Sequence, residues 1–301
     1  MLTKNISLVL GSGGARGLAH IGVIRWLEEH NYRIKSIVGC SMGACVGGIH
    51  AIGRLDVYEE WVRAIRKRDI VALMDVTLRR AGLLKGDRLF NTLRELLGDG
   101  LIEDLEIRFT AVAMDIDRSR EVWISRGPVF DAIRASVSIP LLFTPAIVHG
   151  RKLIDGGVMN PIPIAPTVGD HTDMVVAVNV SGQLSEGVRQ ASKRPRPNPP
   201  QSALQERIGQ FLDSLVSIKD ESKLDQDSIT DVVYTAFDAM QSTIARHKLA
   251  AYPPDVLIDI PRNVAGIMEF DRAEEMIELG YAASEKAMSA ASEMHNNARM
   301  S

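Results

Sequence analysis

Nine of the chain's 24 glycines fall between residues 11 and 48. All but Gly22 fall in two tight groups, Gly11-Ser-Gly-Gly-Ala-Arg16-Gly17 and Gly39-Cys40-Ser41-Met42-Gly43, with Gly47 and Gly48 just behind. Glycine accepts backbone angles and close approaches that other residues refuse, so such a concentration marks sharp turns and tight packing. The flanking residues say in what kind of fold. Ile6–Leu10 is a short apolar run that stops at Gly11, as a buried parallel strand does. Leu18, Ile21, Ile24 and Leu27 recur at helical spacing, Ser36–Val38 reads as a second strand, and Met42–Arg54 as a helix of small residues. Strand, glycine loop, helix, strand, tight turn, helix predicts an α/β fold with helices on the faces of a parallel sheet.

Further along, residues 56–105 are expected to be mainly helical. Phe109–Asp115 and Glu121–Ser125 read as strands joined by a polar turn, Lys152–Ile154 as a short extended piece, and Met174–Val180 as a buried strand. From Ser181 to about Ala203 the pattern dissolves into a stretch rich in proline and arginine, read as a flexible excursion. Ile229, Val232, Val233, Phe237, Met240 and Ile244 then mark an amphipathic helix, with Ser228 and Asp231 as a capping pair. Asp255–Ile260 is a late strand and Asp271–Met294 a closing helix. With 301 residues, 46% of them hydrophobic, one large domain is expected over 1–301, its core about 6–180 plus 226–293 and the excursion about 181–203.

Charge and cysteine content remove several classes. A net charge of −3 gives no footprint for nucleic acid. Cys40 and Cys45 can build neither a disulfide framework nor a zinc site, and both read as small buried fillers, Cys40 turned away from Ser41 by strand alternation. The longest apolar runs, such as Met174–Val178, are too short to span a bilayer, and the first ten residues lack a signal-peptide core. These features lead to the expectation of a reducing, cytoplasmic location, with peripheral contact at the inner face of the membrane left open.

Gly39-Cys-Ser41-Met-Gly43 is a G-x-S-x-G between a strand and a helix, the setting of a nucleophile elbow. The following helix aims its positive end at the serine. The Gly11–Gly17 loop directly follows a strand, where successive N–H groups can converge on one anion. A dinucleotide fingerprint needs glycine where Arg16 stands, and a P-loop needs Gly-Lys-Ser/Thr where Arg16-Gly17-Leu18 stands. An oxyanion hole lacks nothing. A serine also needs a base, by default histidine. Of the seven histidines, His20, His30 and His50 lie in helical patterns, His149 in a turn, and His171, His247 and His295 in no glycine-framed setting. Asp155 does stand out, where Leu153-Ile154 gives way to Gly156-Gly157. An Asp-Gly turn is common in its own right, and a carboxylate pressed against Ser41 could also take its proton directly.

These three motifs, in this order, resemble the patatin-like phospholipase family, above all its short bacterial members. Ala135-Ser-Val-Ser-Ile-Pro140-Leu-Leu-Phe-Thr-Pro145 is also similar to the family's segment before the acid. The resemblance runs from about Ile6 to Val180, more weakly over Asp255–Gly280. It implies a patatin-like three-layer α/β/α fold with a mainly parallel central sheet. It implies a serine esterase or lipid acyl hydrolase, of phospholipase A or lysophospholipase type, in which a Ser41–Asp155 dyad replaces a triad. The resemblance assigns the oxyanion hole to Gly13, Gly14, Ala15 and Arg16, with Gly11, Gly17, Gly39, Gly43, Gly156 and Gly157 as motif glycines, and it implies no metal and no cofactor.

Lipid or other ester substrates follow from the resemblance, and composition offers two candidate membrane contacts, the first also readable as a solvated helix pair and the second as a lid or packing helix after a linker. Residues 61–90 carry eight Lys or Arg against three Asp, interleaved with leucines, and 193–215 join a basic cluster to the apolar positions Leu204, Ile208, Phe211, Leu212 and Leu215. Three rival classes are weaker. A Ser-His-Asp hydrolase places its elbow after more strands, a nucleotide-binding module conflicts with Arg16, and a non-catalytic regulator would keep the same motifs.

Overall fold

The computed structural model describes residues 3–65, 69, 86–185 and 229–300. Eight strands form one sheet: β1 (Lys4–Leu10), β2 (Tyr32–Cys40), β3 (Arg108–Asp115), β4 (Arg120–Ile124), β5 (Ala146–Val148), β6 (Arg151–Asp155), β7 (Met174–Gly182) and β8 (Val256–Pro261). Their order is β5-β6-β3-β2-β1-β7-β8, with β4 beside β3. The pairs β3–β2, β2–β1, β1–β7 and β7–β8 are parallel, and the pairs involving β4, β5 and β6 are antiparallel. The described helices are α1 (Ala19–Glu29), α2 (Met42–Ala51), α3 (Leu55–Ala64), α4 (Asp87–Leu97), α5 (Val129–Ser136), α6 (Ile229–Ala251) and α7 (Ala273–Met300). Among the described residues no helix is long and apolar enough to cross a membrane.

Alternation along β1 sorts the layers. Ile6, Leu8 and Leu10 point into the large core shared with α1, α2 and α7, while Val9 joins Ala177, Ile162, Ile164 and Ala245 of α6 on the opposite face. The sheet is therefore covered on both faces, as its mainly parallel strands require. On the large-core side α1 and α7 touch backbone to backbone. A Cβ on Gly22 would lie 1.9 Å from the Ile277 carbonyl oxygen, and one on Gly280 the same distance from that of Ala19. Gly280→Val should therefore force the helices apart and destabilise the protein by about 2–3 kcal/mol, lowering Tm by roughly 5–10 °C. An unchanged melting curve would contradict this crossing.

Several boundaries depart from the sequence reading. β2 spans nine residues because its first half, Tyr32–Lys35, sits partly exposed at the sheet's end and carries polar residues that hide the run. The helix after Ser41 ends at Ala51 rather than Arg54, since Gly53 turns left-handed at φ +71°. α5, unassigned from the sequence, packs its apolar side against α2 and β3. The stripe read as the apolar side of α6 faces outward: Val232 and Met240 are 67% and 59% exposed, while Gln241 and Ala245 are buried. Ser228 and the Asp231 side chain, the 193–215 segment and most of the 181–203 excursion lie outside the described residues, as does most of 66–85.

Candidate active site

β2 delivers Ser41 to the C-terminal end of the sheet, and α2 begins at the next residue. Ser41 itself has φ 54° and ψ −123°, a conformation that non-glycine residues occupy only under constraint, at about 1–3 kcal/mol. The surroundings hold it there. A Cβ on Gly43 would sit 2.0 Å from the Leu10 carbonyl oxygen, so only glycine lets the elbow press against β1. The Ser41 N–H donates to Ser136 Oγ at 2.9 Å, and that hydroxyl donates to the Val112 carbonyl at 2.6 Å. Ser136 thus ties the elbow to β3.

Asp155 arrives from the other direction. β6 pairs antiparallel with β3, setting Asp155 opposite Ala113, and its N–H donates to the Ser138 carbonyl at 2.9 Å. The carboxylate caps its own turn, accepting the Gly157 N–H on Oδ1 at 2.7 Å. Oδ2 accepts the Ser41 hydroxyl at 2.6 Å. The Asp-Gly turn and the serine contact therefore coexist, one on each oxygen. Both residues are buried. Burial raises the Asp155 pKa to about 6, against the lowering effect of the hydrogen bonds from Ser41 and Gly157. The Cys40 thiol lies 3.9 Å from Asp155 Oδ1, so it packs beneath this carboxylate rather than clear of the site. Burial first, then the charge of Asp155, pushes the Cys40 pKa well up and keeps the thiol protonated.

The Gly11–Gly17 loop is anchored on three sides. Gly11 N–H donates to Val178, Ser12 N–H to Pro161, and Ala15 N–H to Ile267 at 2.8 Å. Gly14, at φ +57°, leaves no room for a side chain against the Ile267 carbonyl. Ala15 N–H is thereby committed inside the protein. Gly13 and Gly14 N–H make no hydrogen bond among the described residues, and Met42 N–H, first in α2, has no intrahelical partner. The Arg16 side chain does not face the serine. It is buried, donates to the Arg262 carbonyl at 2.7 Å and pairs with Asp238 of α6. Gln241, one turn on, donates to Ser12 Oγ at 3.1 Å. Through these two contacts α6 braces the loop, which explains its buried polar face.

The described histidines stay out of this centre. His20 Nε2–H donates to the Gly11 carbonyl at 2.8 Å, and burial drops its pKa to about 4. His50 is likewise lowered to about 4 by burial and lies near Glu28. Among the described residues no histidine hydrogen-bonds Ser41 or Asp155, and no group of three or more His, Cys, Asp or Glu could hold a metal ion.

Ser41 lines a cavity of about 100 Å³ whose other walls are almost wholly apolar. They come from α2, α3, α4, the 137–143 segment and the 267–270 segment, with Trp61, Leu93, Phe143 and Phe270 among them. The described ends of the basic 61–90 stretch thus turn inward, since Trp61, Val62, Ile65 and Phe90 are buried cavity residues. Sequence reading missed Ser136, the cavity walls and the Asp238–Gln241 brace. The segment around Ala135–Pro145 was the available signal for the first.

A family model described as patatin-like phospholipase matches residues 8–168. An uncharacterized NTE family protein of Mycobacterium tuberculosis is 36% identical over 96% of this chain and 92% of its own length. A protein of Emericella nidulans named lysophospholipase is 32% identical over 62% of this chain and 12% of that protein. VipD from Legionella pneumophila aligns at 14% identity with a TM-score of 0.44, covering 96% of this chain and 67% of that one.

Proposed function

Because the chain belongs to the patatin-like phospholipase family, hydrolases of ester bonds, we propose that it cleaves carboxylic esters of lipids with Ser41 as nucleophile and Asp155 as the sole general base. One observation carries the reading: the Ser41 hydroxyl, on a strained elbow, donates to the buried Asp155 carboxylate at 2.6 Å beside an apolar cavity. Asp155 takes the hydroxyl proton as Oγ attacks the ester carbonyl carbon. The tetrahedral oxyanion is received by the N–H groups of Gly13, Gly14 and Met42, which have no other partner among the described residues, with the α2 dipole behind Met42. Asp155 then hands the proton to the leaving alcohol, and a second cycle with water releases the fatty acid. The acyl chain occupies the apolar cavity. Ala15 belongs to the loop's support, and Arg16 acts through its ties to α6.

The substrate class is tested by a hydrolysis panel of lysophospholipids, diacyl phospholipids, monoglycerides and short p-nitrophenyl esters, with Ser41→Ala as blank. Turnover of at least one lipid class is expected; activity equal to the blank throughout would leave a regulator with an enzyme's fold. The fungal relatives' name points to lysophospholipids first. Ser136→Ala tests the elbow's support. It strips the partner from the Ser41 N–H and from the Val112 carbonyl, so kcat should fall about 10- to 100-fold, equivalent to about 1–3 kcal/mol. An unaltered kcat would show that the elbow holds its shape without Ser136.

A further inference from the structure

We propose that the protein docks on anionic lipid surfaces through the β5–β6 hairpin and the loop that precedes it, a surface that rests on the lipid-ester reading and specifies where the substrate is met. The loop leaves from Ser138, bonded to Asp155, and returns as β5, where Ala146 pairs with Leu153. Its residues Ile139, Leu142 and Phe143 line the cavity that holds Ser41. The same loop turns Leu141 outward, 55% exposed and at φ +68°. A left-handed backbone is unfavourable under a bulky side chain, and in water an exposed leucine gains nothing to offset it. Glycine or asparagine would serve a solvent turn better. Arg134 braces the loop in this shape, donating to Thr144 O at 3.0 Å and to Ser138 Oγ at 2.6 Å while lying over the Phe90 and Phe143 rings.

Thr144-Pro145 closes the loop, and β5 begins at Ala146. On β5, Ile147 is 65% exposed and pairs across the hairpin with exposed Lys152, so the two share one face. Arg151 and His149 stand exposed at the tip. Between Asp131 and Asp155 the chain has no carboxylate side chain, and neither Arg151 nor Lys152 has an ion pair among the described residues. The adjoining β3–β4 turn, whose Ile116 N–H bonds Lys152 O, adds exposed Ile116 with Asp117 and Arg118. Lysine on an edge strand commonly prevents sheet-to-sheet pairing, but Lys152 lies on β6, which is paired on both sides. That role does not account for exposed Ile147 opposite Lys152, on a hairpin whose preceding loop lines the cavity and exposes Leu141; apolar side chains together with cations are the composition that binds an anionic interface.

The test is flotation of the whole protein with phosphatidylcholine vesicles, with and without phosphatidylglycerol, alongside turnover of a soluble short-chain ester. Wild type should partition onto the anionic vesicles. Leu141→Asn with Ile147→Asn, and separately Arg151→Glu with Lys152→Glu, should each weaken partition by at least about tenfold. Turnover of the soluble ester should stay within about twofold, since none of these residues lines the cavity. Asparagine accepts the left-handed backbone, so the first pair leaves the loop unstrained. Wild type that ignores both vesicle types while hydrolysing the soluble ester would overturn the surface and leave the catalytic reading standing. So would variants that partition like wild type, or variants whose only change is lost self-association. Soluble-ester turnover reports on the catalytic reading, and partition alone decides the surface.

Discussion

Asp155→Asn is expected to abolish ester turnover and to make the protein more stable at pH 8. The substitution keeps the shape and leaves partners for both hydrogen bonds, from Gly157 N–H and to Ser41 Oγ, but it removes the only carboxylate in contact with the Ser41 hydroxyl among the described residues. A loss of about 10⁴-fold or more in kcat matches the removal of a catalytic base from a buried serine. The stability gain follows from linkage. Burial holds the folded-state pKa near 6, above the ordinary value of 3.8. Between about pH 4 and 6 the folded state therefore binds more protons than the unfolded chain. This group's contribution declines as pH rises through that window and is a constant penalty above it. A displacement of that size corresponds to about 3 kcal/mol at most, so a rise of about 1–3 kcal/mol is expected at pH 8 and none at pH 4. His20 and His50 work in the opposite sense, because their depressed pKa values give stability that is lost as pH falls below about 6.5. The comparison must therefore be variant against wild type at each pH. The same pKa sets activity: in wild type kcat/KM should rise about tenfold per pH unit up to about 6 and level off above it. Asp155→Asn that keeps its activity, with loss on His171→Ala or His247→Ala, would restore a triad.

Ser41→Ala should lower kcat/KM by about 10⁴- to 10⁶-fold, the range for removing a serine nucleophile, while leaving the fold intact. Alanine also relieves nothing at the elbow, because φ 54° is as unfavourable for it as for serine. The melting temperature should change by no more than a few degrees. A collapse of stability would mean that the Ser41–Asp155 contact holds the fold together, which its burial beside a raised carboxylate pKa argues against.

Those two residues were legible in the sequence because their constraints are local. A serine on a sharp turn between strand and helix needs Gly39 and Gly43 next to it, and a strand ending in Asp155 needs a glycine to turn on. What surrounds them was not legible, because it is assembled across the chain. Ser136 reaches Ser41 from α5, and the cavity gathers residues from Gly14 to Phe270. α6 shows the limit most clearly. Its 3.6-residue period was real, but the period marks two faces without saying which one is buried. Asp238 and Gln241, polar and bonded to Arg16 and Ser12, decided the matter against the apolar stripe. Ala15 illustrates the same point in the Gly11–Gly17 loop, where its N–H is taken by Ile267, near the other end of the chain.

The dyad is tested most directly by intact-mass measurement after treatment with a fluorophosphonate, on wild type, Ser41→Ala and Asp155→Asn. Wild type should gain a single adduct, mapped to Ser41, at a rate that rises with pH to a plateau above about 6. Ser41→Ala should gain none, and Asp155→Asn should label at least about 100-fold more slowly. Adduct formation on Ser41→Ala, or labelling of Asp155→Asn at the wild-type rate, would contradict a Ser41–Asp155 catalytic pair.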